Sequence, residues 1–455
     1  MDVLILAAGL GTRMKSRRAK VLHELGGRPL IAHVCRTAEL LNPRRIEVVV
    51  GHQADEVKKA VEQELGPNRA TFSKQPNQRG TGDAVMAARS AFEKASSVAL
   101  ILSGDVPLVK AETLRALIEN HRLQNAACSL LTVRLENPTG YGRVIRDDAG
   151  KFLNIVEQKD ASEEERRIRE INVGIYCFET GPLFSALAEV EPSNKQGEYY
   201  LTDVPGILLK RGHSVVTYEH RDAREVSGIN TRAELAEFEN LLRRNTIRRL
   251  MLERGVTFID PAHSYVSDEA EVGQDCVVYP DVHIEGKTRI GEACEIHQGA
   301  RIANSRVGDR VMVKDHCLII DSDIADDCVV GPFAHLRMNA RMQEHSVVGN
   351  FVEVKKSQIG RGTKSMHLTY LGDATIGDDT NIGAGTVTCN YDGQKKHPTI
   401  IGDNVKIGSD TMLVAPVSVG NGAVTGAGSV VTEDVPPDTL VAGVPATVRK
   451  NLSKK

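Results

Sequence analysis

Residues 266–302 read VSDEAEVGQDCVVYPDVHIEGKTRIGEACEIHQGARI, and an aliphatic side chain opens every sixth position: Val266, Val272, Val278, Ile284, Ile290, Ile296 and Ile302. An α-helix repeats its buried face about every 3.6 residues and a half-buried strand about every 2, so neither produces this period. A six-residue period is the mark of a parallel β-helix, in which each hexad forms one side of a coil. After single-residue slips the ladder resumes at Val330, Leu336, Met342, Val348 and Val354, and again at Ile401, Ile407, Leu413, Val419, Thr425 and Val431. Four residues beyond the rungs stand small side chains such as Ala270, Thr288, Ala300, Ala334, Ser346 and Ala423. Cys276, Cys294, Cys317 and Cys328 share that slot, which makes them packing groups rather than ligands or nucleophiles.

The ladder departs from its period in two places, and such departures mark function in a fold that otherwise needs only to repeat. From Lys364 to Tyr370 (KSMHLTY) the rungs are lost until Ile376. Further on, thirteen residues separate Thr388 from Ile401, so Cys389–Thr399 (CNYDGQKKHPT) must protrude. His367 is the one natural base in the first interval, read either as a general base or as a structural histidine. Three hexads make a coil, so Arg337 and Lys355, eighteen apart with no slip between them, stack at roughly 4.8 Å. Stacked cations repel. They are either a clamp for an anion such as phosphate or two separately solvated side chains.

Upstream of the ladder the pattern is different. Val3–Ala8 (VLILAA) is a strand that breaks into Gly9-Leu10-Gly11-Thr12-Arg13-Met14, with Lys20 following. Glycines let the backbone approach an anion and offer it N–H groups, while Arg13 and Lys20 add a planar fork and a point charge. Met14 stands where a dinucleotide fingerprint has its third glycine, and no GK[ST] follows for a Walker loop. Further strands are expected at Ile46–Val50, Val98–Leu102, Cys128–Val133, Ile171–Phe178 and Ser214–Tyr218, with a helix over Pro29–Leu41. This is a doubly wound α/β pattern over residues 1–228, whose ligands sit at the carboxyl ends of strands. Asp105, ending LILSGD, has such a position and either holds a divalent ion or caps the strand. Thr231–Arg254 reads as one long helix opened by a Thr231/Glu234 capping box; it either links the halves or closes the first domain. The organisation expected is 1–228, a linker helix 229–252, and a β-helix over 253–455.

Across 455 residues, 26% are charged and the net charge is −3, which argues against nucleic acid or an anionic membrane as the main partner. No apolar run approaches the ~18 residues of a membrane span. MDVLILAAG has neither a basic n-region nor a cleavage-type h-region, and the eight cysteines include no CxxC pair. The expectation is a cytoplasmic protein.

GxGTRM followed by lysine resembles the signature of the sugar-nucleotide pyrophosphorylases. The resemblance narrows through LAAGLGTRM, KVLHELGGRPL, QRGTGDA, GYGRV, VEQKDA, EINVGIY, QGEYYLTD and GIN, then GPFAHLRM, NFVEVKK, HLTYLGDA, NIGAGTVTCNYDG and IGSDT. Along nearly its whole length the chain is similar to the bifunctional bacterial N-acetylglucosamine-1-phosphate uridyltransferase/glucosamine-1-phosphate acetyltransferases. That family implies an α/β nucleotidyltransferase domain joined to a left-handed hexapeptide-repeat β-helix, assembled as a homotrimer. It implies contacts to UTP and the sugar nucleotide at Leu6, Ala7, Ala8, Gly9, Lys20, Gln75, Gly80, Thr81, Ser103, Gly104, Asp105, Gly142, Glu157, Asn172 and Asn230. Mg2+ would fall on Asp105 and Asn230, with Arg13 and Lys20 neutralising charge during uridyl transfer. In the second half it implies His367 as the base, Glu353 as an orienting carboxylate, and sugar-phosphate contacts at Arg337, Lys355, Tyr370 and Asn381. Acetyl-CoA would meet Ala384, Asn390, Tyr391, Ser409 and Ala427. Three positions depart from the family pattern: Ser103 for a frequent tyrosine, Ala19 for a frequent proline, and Gly443 where a CoA-binding arginine is expected, with Arg449 or Lys450 as substitutes. The alternative is a single-activity pyrophosphorylase whose β-helix serves only oligomerisation.

Overall fold

The computed structural model describes residues 1–92 and 98–452. They form two compact units, 1–239 and 240–455. In the first, nine strands make one sheet: β1 (Asp2–Ala7), β2 (Ile46–Val50), β3 (Ala70–Lys74), β4 (Val98–Ser103), β5 (Cys128–Arg134), β6 (Gly142–Arg146), β7 (Phe152–Val156), β8 (Glu170–Glu179) and β9 (Val215–His220). The order along the sheet is β9-β5-β8-β4-β1-β2-β3, with β6 paired to β8 and β7. Strands β1 to β4 are mutually parallel, and the chain order reverses at β1, between β2 on one side and β4 on the other. Such a reversal splays the following loops apart and opens a crevice at the carboxyl ends. β8 runs antiparallel to β4 and β5, so the sheet is mixed. Two elements were not legible as strands: β3, whose ATFSK is only half apolar, and the β6/β7 hairpin, which hangs from β8.

Helix α1 (Leu30–Glu39) buries Leu30, Ile31, Val34 and Ala38 against this sheet. A later helix, α2 (Arg232–Arg254), begins with the expected box: Glu234 N–H donates to Thr231 Oγ1 at 3.1 Å, and Thr231 N–H donates to the Glu234 carboxylate at 2.9 Å. The division between units falls inside α2, whose Ile247 and Leu250 belong to the core of the second unit. No helix among the described residues is long and apolar enough to cross a membrane.

The second unit is a left-handed parallel β-helix of three sheets that begin at Thr257, Tyr265 and Glu271. Rungs pair eighteen residues on, as Val266 with Ile284, or seventeen where a slip occurs, as Ile290 with Val307. Every quoted rung is buried, and so are the four slot cysteines, whose thiols face neighbouring carbonyls: Cys276 Sγ lies 3.0 Å from Gly291 O and Cys328 Sγ 3.0 Å from Gln343 O. Burial pushes the Cys317 thiol up to about 11, which keeps it protonated and inert.

One expectation is corrected. The coil does not break over Lys364–Tyr370: Ser365 pairs with Val348 and Ile382 as a fully buried rung, and Leu371 pairs with Val354. A serine in an aliphatic slot had hidden the period. The second departure is a true protrusion, although Cys389 and Thr399 themselves end the strands that flank it.

Candidate active sites

In the first unit, β1 and β4 lie side by side and end at Ala7 and Ser103. The β1 loop is fastened by buried Met14, and the next turn, Lys20–Leu22, by buried Val21 and Leu22. Gly11 has φ of +61°, and a Cβ there would stand 2.5 Å from Lys20 Cβ, so glycine is what lets Lys20 press against the loop. A Cβ on Gly9 would meet nothing within 4 Å. Gly9 faces open space: a cleft of about 390 Å³ lined by Leu6, Ala7, Ala8, Gly9, Lys20, Gln75, Gly80, Thr81, Ser103 and Asp105. Leu10, Thr12, Gln78, Ala84 and Glu198 also line it and were not anticipated.

Lys20 Nζ contacts the Asp105 carboxylate and lies 3.0 Å from Asn230 Oδ1, to which Arg13 Nη2 also donates at 2.8 Å. Asn230 is held at the mouth of α2, where its N–H donates to Glu234 at 2.6 Å. Two oxygens that share one ammonium can share a divalent cation, and Mg2+ asks for one or two protein oxygens with phosphates and water supplying the rest. No cluster of three or more His, Cys, Asp or Glu suited to a metal occurs among the described residues.

Arg13 and Asn230 adjoin that cleft only through Lys20, and Gly104, Gly142, Glu157 and Asn172 do not line it either. Gly104 N–H donates to Leu6 O at 3.0 Å, locking β4 to β1. The other three gather beside it: Asn172 pairs with Gly142 in the ladder, and Glu157 Oε1 lies 3.3 Å from where a Gly142 Cβ would be. Asn172 Nδ2 donates to the Tyr176 hydroxyl at 2.7 Å, and Thr202 Oγ1 donates to Glu157 at 3.3 Å. Burial, reinforced by Asp160, Asp203 and Glu198 and opposed by the Thr202 hydrogen bond, raises the Glu157 carboxyl above its ordinary range. Ser103 Oγ donates to Gly174 O at 3.3 Å, which joins this group to the cleft.

In the second unit His367 ends the strand Lys364–His367, exposed, with Nδ1 2.7 Å from Asn350 Oδ1 on the coil before. An amide oxygen only accepts, so Nδ1 carries the hydrogen, and in the neutral ring the lone pair belongs to Nε2. Asn350, not Glu353, is therefore the side chain that orients the His367 ring. Glu353 is taken by Arg337, at 2.8 Å from Nε and 2.6 Å from Nη2.

Arg337 and Lys355 do stack across one ladder step. Their repulsion is met by carboxylates, Glu353 on Arg337 and Asp373 at 3.5 Å from Lys355. Tyr370 pairs with Glu353 on the next coil, and Asn390, expected to meet acetyl-CoA, has its Nδ2 3.5 Å from the Tyr370 hydroxyl and 2.7 Å from Asp373. Tyr391 is exposed on the protrusion.

The residues expected to meet acetyl-CoA show an order that sequence reading missed. Asn381 pairs with Lys364, and continuing that seventeen-residue register puts Ala384 directly after His367. Ile382 pairs with Ile407 and Lys406 with Val424, and continuing those registers carries the column on, so Asn350, His367, Ala384, Ser409 and Ala427 follow one another along a single corner. Asn381 sits at the other end of that strand, away from His367. Gly443 comes next below Ala427, since Val441 pairs with Thr425, and Arg449 Nη2 is 3.2 Å from where a Gly443 Cβ would stand.

An α/β cleft with a lysine, an arginine and two convergent oxygens, and a β-helix with an oriented histidine heading a column of small residues, define a two-site transferase. Residues 3–169 match the MobA-like NTP transferase domain, 261–366 the GMPPB C-terminal domain, and 398–433 the bacterial transferase hexapeptide of six repeats. The "Bifunctional protein GlmU" of Heliobacterium modesticaldum is 49% identical over 96% of this chain and 94% of its own, and that of Pelobacter propionicus 47% over the same shares. The Syntrophomonas wolfei protein of that name is 44% identical over 100% of this chain and 99% of its own. The chain belongs to the GlmU family, and it is a bifunctional enzyme with nucleotidyltransferase and acyltransferase activities.

Proposed function

We propose that this chain makes UDP-N-acetylglucosamine in two steps on two separate folds. Acetyl-CoA acetylates glucosamine-1-phosphate on the β-helix, and UTP uridylates the product in the α/β cleft. The observation that carries the reading is the pairing, in one chain, of the Lys20–Asp105–Asn230–Arg13 cluster with the His367–Asn350 pair.

In the cleft a sugar-1-phosphate oxygen attacks the α-phosphate of UTP and pyrophosphate leaves. The nucleophile is already anionic at neutral pH, so the protein positions and neutralises rather than abstracting a proton. Arg13 and Lys20 face the phosphates, with Gly9 admitting them to the backbone. Asp105 and Asn230 would hold Mg2+, which supplies further charge neutralisation on the transferring phosphates.

On the β-helix the glucosamine nitrogen attacks the thioester carbonyl, a proton passes from that nitrogen to His367 Nε2, and the CoA thiolate leaves. Arg337 and Lys355 hold the sugar phosphate. Ala384, Ser409 and Ala427 leave a shallow track in which CoA lies, and Arg449 replaces the arginine that Gly443 lacks.

We further propose a homotrimer with acetyl-transfer sites shared between chains. Phe333 and Phe351 stack at 5.3 Å on one corner while about half exposed, and Leu368 continues their column, 64% exposed. This apolar strip is adjacent in sequence to the Asn350–His367 column, so a second copy that covered it would wall the acetyl-CoA track. The domain limits we propose are 1–228 and 253–455 around a connecting segment 229–252, whose Asn230 completes the first site and whose Ile247 and Leu250 complete the second core. The test is a full-chain assay with glucosamine-1-phosphate, acetyl-CoA, UTP and Mg2+: UDP-N-acetylglucosamine is expected, and uridyl transfer without acetyl-CoA consumption would favour the single-activity alternative.

A further inference from the structure

Asp373 was singled out neither by its spacing nor by the family resemblance, yet it holds the second site together. Its side chain is only 11% exposed, with Oδ2 3.5 Å from Lys355 Nζ and Oδ1 3.5 Å from Lys356 Nζ. Asn390 Nδ2 donates to the same carboxylate at 2.7 Å. The backbone of Asp373 does as much: its N–H donates to Lys355 O at 3.0 Å, and its carbonyl accepts from Thr399 N–H at 3.1 Å. One residue thus fixes Lys355 and both roots of the protruding loop.

The charges around it are unbalanced in a telling way. Arg337, Lys355 and Lys356 supply three cations and Glu353 and Asp373 two carboxylates, while Lys396 lies against Lys355, a contact that disfavours its charge until an anion is present. The positive excess, with Lys396 ready to add to it, suits a phosphate monoester, which carries about −1.5 to −2 near pH 7. Lys355 is itself almost fully buried, at 5% side-chain exposure. At 3.5 Å its pairing with Asp373 is longer than a charge-assisted hydrogen bond of roughly 2.8 Å, so the carboxylate steadies the ammonium while an N–H of its three is left for a phosphate.

We infer that Asp373 is the positioning residue of the sugar-phosphate pocket: its carboxylate sets where the Lys355 ammonium and the Asn390 amide stand, and through them where the phosphate binds. This rests on the reading of Arg337 and Lys355 as the sugar-phosphate clamp. Asp373 touches no reacting atom, so its removal alters recognition of one substrate and leaves the chemical step alone.

The experiment is steady-state acetyl transfer by the full chain carrying Asp373→Asn, with Asp373→Glu and Arg337→Ala in parallel and uridyl transfer as the control for folded enzyme. For Asp373→Asn, KM for glucosamine-1-phosphate rises on the order of tenfold, while kcat and KM for acetyl-CoA stay within about twofold. Asp373→Glu recovers part of the loss. A KM for glucosamine-1-phosphate that is unchanged or lower overturns the inference, since simple charge relief would draw phosphate in. An equal rise in KM for acetyl-CoA also overturns it, because that is how mere loosening of the loop reads out. If Asp373→Asn does not fold, Asp373→Glu is read in its place: a rise of about threefold is expected, and no rise overturns the inference. Arg337→Ala separates the two layers. If it too leaves KM for glucosamine-1-phosphate untouched, the clamp reading fails and Asp373 with it; if it alone raises KM, only the role of Asp373 falls.

Discussion

Gly9 and Gly11 stand two residues apart in one loop, and replacing each by alanine asks a different question. At Gly11 the backbone is left-handed, φ +61°, which costs an alanine about 1–2 kcal/mol, and its Cβ would be 2.5 Å from Lys20 Cβ, well inside contact distance. Relieving that overlap moves the loop or Lys20, so we expect Gly11→Ala to lose about 2–3 kcal/mol in all. For a unit of this size, at roughly 2–4 °C per kcal/mol, that lowers the melting temperature by about 5–10 °C. Uridyl transfer falls with it as Lys20 leaves Asp105 and Asn230. At Gly9 the backbone is not left-handed and a Cβ meets nothing within 4 Å, so Gly9→Ala costs the folded protein almost nothing. The same methyl group occupies cleft space where phosphates would approach the chain. Its expected effect is on the order of a hundredfold loss in kcat/KM for uridyl transfer, equivalent to about 2.7 kcal/mol. Differential scanning fluorimetry and a pyrophosphate-release assay, with acetyl transfer as the unaffected control, read both variants. A Gly9→Ala enzyme that uridylates at the normal rate would refute the claim that this backbone lies against the nucleotide.

Three further outcomes follow from the structure. Asn350→Ala removes the acceptor that fixes the His367 tautomer, so acetyl-transfer kcat drops about 10- to 100-fold while uridyl transfer is unchanged; an unaltered kcat would leave His367 without its orienting partner. Glu170 is buried, which by itself raises its carboxyl, but bidentate Arg146 at 2.5 and 2.8 Å together with Thr132 outweighs burial and the group ends below its ordinary range. Its folded-state value is depressed, so its stabilisation is present above the ordinary carboxylate range and lost as pH falls through the lowered value. In urea melts of residues 1–239, Glu170→Gln should cost about 2 kcal/mol at pH 7 and progressively less towards pH 3, and a cost independent of pH would contradict the pairing. Finally, light scattering should find residues 1–239 monomeric and residues 240–455 trimeric with acetyltransferase activity; a monomeric, fully active second fragment would rule out the shared site. The cut belongs at 239 because an earlier one removes Asn230 or its Glu234 anchor, and a cut after 250 strips Ile247 and Leu250 from the β-helix core.

The repeat was the most legible part of the chain because a coil forces one residue class to return on a fixed count, as the pairing of Val266 with Ile284 shows. It became illegible at Ser365, where a hydroxyl stands in a buried aliphatic slot. In the α/β unit the strongly apolar central strands could be read, while β3 and the β6/β7 hairpin were hidden by polar edges. For the sites, sequence spacing brought Arg337 over Lys355 but could not show that Glu353 and Asp373 already answer those charges, since these contacts cross ladder steps and corners. Asn350 was missed for the same reason: it lies seventeen residues before His367 and meets it only because the coil returns.

The claim that one chain carries two independent transferase sites is tested most directly by mixing two inactive variants. Asp105→Ala and His367→Ala are supplied, separately and together, with glucosamine-1-phosphate, acetyl-CoA, UTP and Mg2+, and UDP-N-acetylglucosamine is quantified. The account predicts that Asp105→Ala stops at N-acetylglucosamine-1-phosphate, His367→Ala makes nothing, and the mixture restores the product because the intermediate passes from one enzyme to the other. A folded variant that loses both activities, or a mixture that stays silent, would contradict it.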